Sequence, residues 1–205
     1  MNYKIILLFL LSFASGSVPF AYLIGLFYGV DIRKKGSGNV GATNVFRTVG
    51  TFPGIIALAL DILKGLLPVI LARSFEFVPL WQILIGLMAV IGHCFTPFLK
   101  FRGGKGVATS AGVFLGLAPL ATIGVAIVWI LAVLIGRYIS LGSIIAGISL
   151  PIFISVISKI RQEQNWILLI FASFVSILII LRHVPNLKRL MRGSEPKVKI
   201  FRMLI

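Results

Sequence analysis

Negative charge is scarce in this chain of 205 residues, with five Asp and Glu against twenty Lys and Arg. Cysteine is scarcer still: Cys94 stands alone, which excludes a disulfide framework and a thiolate metal site. With only two His and five scattered carboxylates, the chain offers no metal ligand set, and nothing in it asks for a cofactor. Charged residues of any sign make up 12% of the composition, while 59% is hydrophobic and the mean hydropathy is +1.07. A soluble domain of this length cannot bury so much apolar surface, so the surplus faces lipid.

What is present is a series of long apolar runs. They extend over residues 5–27, 52–72, 78–98, 107–136, 144–157 and 166–181. Several approach the roughly 20 residues needed to cross a hydrocarbon core. Backbone groups in lipid must pair within their own segment, which predicts helices; the alternation that a barrel requires is absent. The first run continues past Pro19 to Phe27, too long for the core of a cleaved signal.

The 30-residue run 107–136 decides the topology. Broken near Gly116 to Pro119 it gives two passes and seven helices, placing fifteen Lys and Arg on one side and four on the other, with Lys64 inside a helix. As a single pass it gives nine against ten. Positive charge marks cytoplasmic loops, so the expected architecture is all-α and polytopic, with about seven transmembrane helices. The amino terminus is then outside, the carboxyl terminus and the polar loops are cytoplasmic, and residues 1–205 form one membrane-embedded domain. Within the second helix, Asp61 and Lys64 would each cost roughly 2.5 to 3.5 kcal/mol if left bare at mid-membrane. Their spacing predicts a structural pair near one end of the helix.

Three polar clusters fall on the predicted cytoplasmic side. The first runs from Asp31 to Arg47, DIRKKGSGNVGATNVFR, after SGSVPF at residues 15–20. Gly36, Gly38 and Gly41 permit turns that aim successive N–H groups at one point, an arrangement suited to phosphate. Ser37, Asn39, Thr43 and Asn44 add neutral donors and Arg47 a forked cation. Arg33, Lys34 and Lys35 read instead as an interfacial face that obeys the charge rule. The second cluster is Gly92-His93 followed by FRGGKGVAT at residues 101–109. If a helix starts near Val107, its free N–H groups lie beside Lys105, a second anion site that Gly103 and Gly104 leave open. The wrong residue at 99 and Gly106 after the lysine exclude a nucleotide-binding P-loop. The third joins Arg137 to Ser143 with the tail from Arg182 onward, in which His183, Asn186 and Arg189 are spaced to share one helical face. The tail cations Lys188, Lys197, Lys199 and Arg202 read as headgroup contacts.

In order and spacing, SGSVPFAYLIG, DIRKKGSGNVGATNVFR, GH with FRGGKGVAT, and RHVPNLKRLMRGSEPK resemble the acyl-phosphate:glycerol-3-phosphate acyltransferase family of bacteria, across nearly the whole chain. The resemblance implies an inner-membrane enzyme that transfers an acyl group from acyl phosphate to the 1-hydroxyl of sn-glycerol 3-phosphate, giving lysophosphatidic acid and phosphate. It implies work at the reacting groups for Lys105, Ser143, His183 and Asn186. Substrate contacts fall to Ser37, Gly38, Asn39, Thr43, Asn44, Arg47, His93, Gly103, Gly104 and Arg189. Membrane lipids and the two substrates are the expected partners, with no nucleic acid and no obligatory protein partner. One departure is Gly142, where Ser is expected as often; it leaves Ser140 and Ser143 as alternatives, Ser143 preferred. The HxxxxD pattern of soluble glycerolipid acyltransferases is absent, because Phe98 and Lys188 stand five residues after the two histidines. A competing reading is an anion or lipid transporter with phosphate-binding half-helices, but that calls for mid-membrane sites on repeated halves, and no repeat is visible. A noncatalytic scaffold would have no use for glycines around Lys105.

Overall fold

The computed structural model describes residues 3–163 and 165–198, and every regular element among them is helical. In chain order these are α1 (Tyr3–Ser17), α2 (Phe20–Phe27), α3 (Ala42–Thr48), α4 (Thr51–Ser74), α5 (Pro79–Cys94), α6 (Val107–Leu117), α7 (Pro119–Gly136), α8 (Ile139–Ile160), α9 (Trp166–Arg182) and α10 (Val184–Met191), with a 3-10 turn at Pro97–Leu99. Five apolar stretches are long enough to cross a bilayer: Tyr3–Phe27, Thr51–Ser74, Pro79–Leu99, Pro119–Gly136 and Ile139–Ile160. The pair α9 and α10, bent by 52°, makes a sixth, and α6 is a shorter apolar helix. The seven expected apolar segments are thus present, although α6, rising about 16 Å, is too short to span alone. The chain divides into two compact units, Met1–Leu117 and Ala118–Ile205. Lys199 and Arg202 lie outside the described residues.

Breaks fall where backbone chemistry demands them. Ala118 leaves helical geometry at φ −145°, and Pro119 opens α7 with a ring that needs no N–H partner, so the run 107–136 is two helices. Pro19 likewise divides the first run. The carbonyls released there find donors, Ser17 O from Thr96 Oγ1 at 2.6 Å and Val18 O from Lys64 Nζ at 2.9 Å. Between α7 and α8 the polar connection shrinks to two residues: Arg137 takes the left-handed C-cap conformation (φ 61°) and Tyr138 is extended. Ser140 and Ser143 therefore sit in the opening turns of α8, not in a loop, because nothing after Tyr138 opposes helix formation.

In the first unit the helices touch through small residues, as lipid-embedded helices do when no hydrophobic drive draws them together. A Cβ on Gly16 would overlap the Ala89 carbonyl, fixing α1 on α5. On α6, Gly112 faces the Ile62 carbonyl and Gly116 the side chain of Val69, while Gly65 of α4 faces the Thr109 carbonyl. Arg73 Nη1 donates to Gly116 O at 2.7 Å, capping α6 near the end of α4. In the second unit Gly142 is pressed against Val133 and the Trp129 carbonyl of α7. A serine there would have to push the Val133 side chain aside and crowd the Trp129 carbonyl.

The Asp61–Lys64 pair forms as expected, with Nζ 2.7 Å from Oδ1 and both residues buried. Its position does not. Asp61 and Lys64 lie midway along α4, where neighbours cover them, and not near one end.

Candidate active site

Asn44 organises the first loop. Its amide donates to Ile32 O at 2.7 Å and Lys35 O at 3.0 Å, and its oxygen accepts from Ser37 N at 3.0 Å. Both side-chain hydrogens are therefore spent on backbone, which makes Asn44 a builder of the turn and corrects the expectation that it reaches out as a donor. Gly36 and Gly38 take positive φ of 62° and 71°, and a Cβ at Gly36 would overlap the Asn44 oxygen. The turn leaves Ser37 and Gly38 exposed, and Asn39, whose N–H donates to Ser37 Oγ at 3.4 Å, partly so. Thr43 is half-buried and Arg47 exposed on α3. Arg33 is held by Asp31 through Nε at 3.0 Å and Nη2 at 2.9 Å and stacks over Tyr22. The Arg33 guanidinium lowers the Asp31 carboxyl to about 2.

The segment after α5 is built on His93. Gly103 N donates to Cys94 O and Gly104 N to His93 O, each at 3.1 Å. A Cβ on Gly103 would overlap the His93 carbonyl, and one on Gly104 the Nε2 edge of the His93 ring. Gly103 is small because backbone packs on backbone and Gly104 because the imidazole lies against it, so their size does not itself call for a ligand. Lys105 follows, half-buried, one residue before Gly106, whose φ of 84° turns the chain into α6. A polar crevice lined by Ser17, Val18, Pro19, Val40, Asp61, Lys64, His93, Thr96, Gly103 and Gly104 brings the end of the first loop to the glycine segment. Neither Arg47 nor Lys105 lines it.

In the second unit Glu195 is the hub. Its Oε1 accepts from Ser140 Oγ and Asn186 Nδ2, and its Oε2 from Arg189 Nε, all at 2.7 Å. Asn186 and Arg189 do share a face of α10, and that face meets a carboxylate of the same chain. Ser143 Oγ donates to Ile139 O at 2.9 Å and accepts from Trp129 Nε1 at 3.3 Å. His183, at the bend between α9 and α10, places Nδ1 2.8 Å from Ile179 O. A carbonyl only accepts, so Nδ1 carries the proton and Nε2 is the basic nitrogen of the neutral ring.

Burial raises the Glu195 carboxyl, but the hydrogen bonds from Asn186, Ser140 and Arg189 outweigh it and leave the group below its ordinary value of 4.5. A lowered folded value stabilises above 4.5, and the contribution is lost as pH falls through the folded value. The melting temperature in detergent should therefore fall as pH drops below 4.5, and Glu195→Gln should flatten that part of the profile. Equal slopes for parent and variant would refute it.

Residues 6–193 match the family model described as glycerol-3-phosphate acyltransferase. The chain belongs to that family. A glycerol-3-phosphate acyltransferase of Trichlorobacter lovleyi is 48% identical over 90% of this chain and 92% of its own. One from Staphylococcus aureus is 41% identical over 95% and 98%. Crystal structures of PlsY (YgiH), an integral membrane glycerol 3-phosphate acyltransferase, are similar at 37% identity over 98% of this chain. The glycerol 3-phosphate form, covered over 99% of its length, gives a TM-score of 0.90; the lysophosphatidic acid form, covered over 98%, gives 0.87. This chain is accordingly an integral membrane acyltransferase.

Sequence reasoning passed over two partners in this family member. Glu195 was legible only as part of the tail, although a carboxylate in so basic a segment is a signal for an internal anchor. Asp61 was paired with Lys64, but its approach to His93, 3.7 Å from Oδ1 to Nδ1, depends on how α4 meets α5.

Proposed function

We propose that this chain transfers the acyl group of an acyl phosphate to the 1-hydroxyl of sn-glycerol 3-phosphate at the cytoplasmic face of a bacterial inner membrane, with residues 1–205 acting as one acyltransferase domain. The observation that carries the reading is the close fold match to a solved relative in glycerol 3-phosphate and lysophosphatidic acid forms, an acceptor and the product of acylating it. The hydroxyl oxygen attacks the acyl carbonyl carbon, the bond from that carbon to the phosphate oxygen breaks, and phosphate leaves with the electron pair. The hydroxyl proton passes to a phosphate oxygen of the substrates, with His183 or His93 as the alternative acceptor. Acyl phosphate is already activated, so no acyl-enzyme is needed; orientation and charge stabilisation suffice.

Arg47 and Lys105 supply charge for phosphoryl groups, with Ser37, Gly38, Asn39 and Thr43 as neutral donors. His93, Gly103 and Gly104 shape the Lys105 segment. Ser143, His183 and Asn186 are assigned to the reacting groups, and Arg189 to substrate contact beside Glu195. The bias of basic residues supports a cytoplasmic location for both Arg47 and Lys105, with the amino terminus outside. Reporter fusions after each residue should give cytoplasmic signals; opposite signals would end the reading.

Purified protein given labelled glycerol 3-phosphate and an acyl phosphate in detergent should form labelled lysophosphatidic acid and release phosphate. Uptake into vesicles without a covalent product would favour a transporter instead.

A further inference from the structure

Asp61, Lys64 and His93 are each buried, and together they tie four chain segments. Lys64 Nζ lies 2.7 Å from Asp61 Oδ1 and donates to Val18 O at the break between α1 and α2. Asp61 Oδ1 is 3.7 Å from His93 Nδ1 at the end of α5. The other edge of the His93 ring is covered by Gly104, whose N–H bonds the His93 carbonyl and whose neighbour is Lys105. If α4 needed only to adhere to α1 and α5, apolar residues would serve as well and would avoid the cost of two charges at mid-membrane. An ion pair here offers what apolar groups cannot, an electrostatic hold on the imidazole 3.7 Å away.

We propose that Asp61 and His93 are positioning residues, with Asp61 setting the imidazole on which Gly104 is seated and so fixing where Lys105 is presented. The inference rests on the reading of Lys105 as a phosphate-holding residue. Cys94 gives a readout separate from catalysis. It is the chain's single cysteine, it is fully buried, and its Sγ would lie 3.1 Å from a Cβ at Gly106, so the seated segment covers it.

The test combines Asp61→Ala with Lys64→Gln, which leaves no unpaired charge and keeps a donor for Val18 O. Melting in detergent should stay near that of the parent. Maleimide alkylation of Cys94 should accelerate about tenfold or more as the segment lifts. Acyl transfer should fall about threefold or more, yet less than in Lys105→Ala. Asp61→Asn with Lys64→Gln, which retains an acceptor for His93, should recover part of the protection. Protection of Cys94 within about twofold of the parent in the first combination would overturn the proposal, whatever the activity. If a combination fails to fold, His93→Leu replaces it, and unchanged protection of Cys94 there overturns the proposal equally. Lys105→Ala should leave Cys94 protected. If it instead leaves activity intact, the phosphate reading fails while alkylation still judges the seat.

Discussion

Lys105→Ala should lower kcat/KM for acyl transfer at least tenfold, because one charge-assisted hydrogen bond to a phosphoryl group contributes roughly 1.5 to 3 kcal/mol. Arg47→Ala should behave alike. His93→Ala should retain more activity than Lys105→Ala, since its ring supports the segment that carries the cation. The comparison needs membranes with matched protein levels. Near-equal losses for His93→Ala and Lys105→Ala would mean that the imidazole acts on substrate directly. Specific effects on transfer should leave expression and melting close to those of the parent, for Lys105 is half-buried at the start of α6 and fills no core position.

Gly112→Ala should act through the fold. The added methyl group would overlap the Ile62 carbonyl, and backbone cannot swing aside as a flexible side chain does. Either α6 leaves α4 or both helices distort; overpacking of this kind costs about 1 to 3 kcal/mol or more. Lower yield, a reduced melting temperature and loss of transfer should appear together, and a larger residue at Gly65, which faces the Thr109 carbonyl, should reproduce them. A Gly112→Ala protein that melts like the parent yet is inactive would show that this contact serves chemistry and not helix association.

The helices were legible because lipid imposes a simple rule, and the division of residues 107–136 was legible because Pro119 cannot continue a helix from Ala118. Arg33 was likewise readable as an interfacial cation, with Asp31 two residues away. Other roles depended on three-dimensional neighbours. Asn44 looks in sequence like a donor awaiting a ligand; only the folded turn shows its hydrogens given to Ile32 and Lys35. Gly103 and Gly104 suggest an open cradle until His93 is found against them. Ser140 and Asn186 meet through Glu195, 55 and 9 residues away in sequence, a convergence no local pattern encodes.

The register of α6 on α4 has a consequence for where chemistry takes place. Arg73 holds the last turn of α6 near the far end of α4, and Gly65 receives its first turn, so α6 begins only about halfway along its neighbour. Lys105, two residues ahead of α6, therefore precedes a helix that starts beside the middle of α4 and not beside its Thr51 end. If Lys105 holds a phosphoryl group as proposed, a water-soluble acceptor would have to climb down to meet it, while a donor with a fatty tail could arrive sideways without its chain leaving the oily interior.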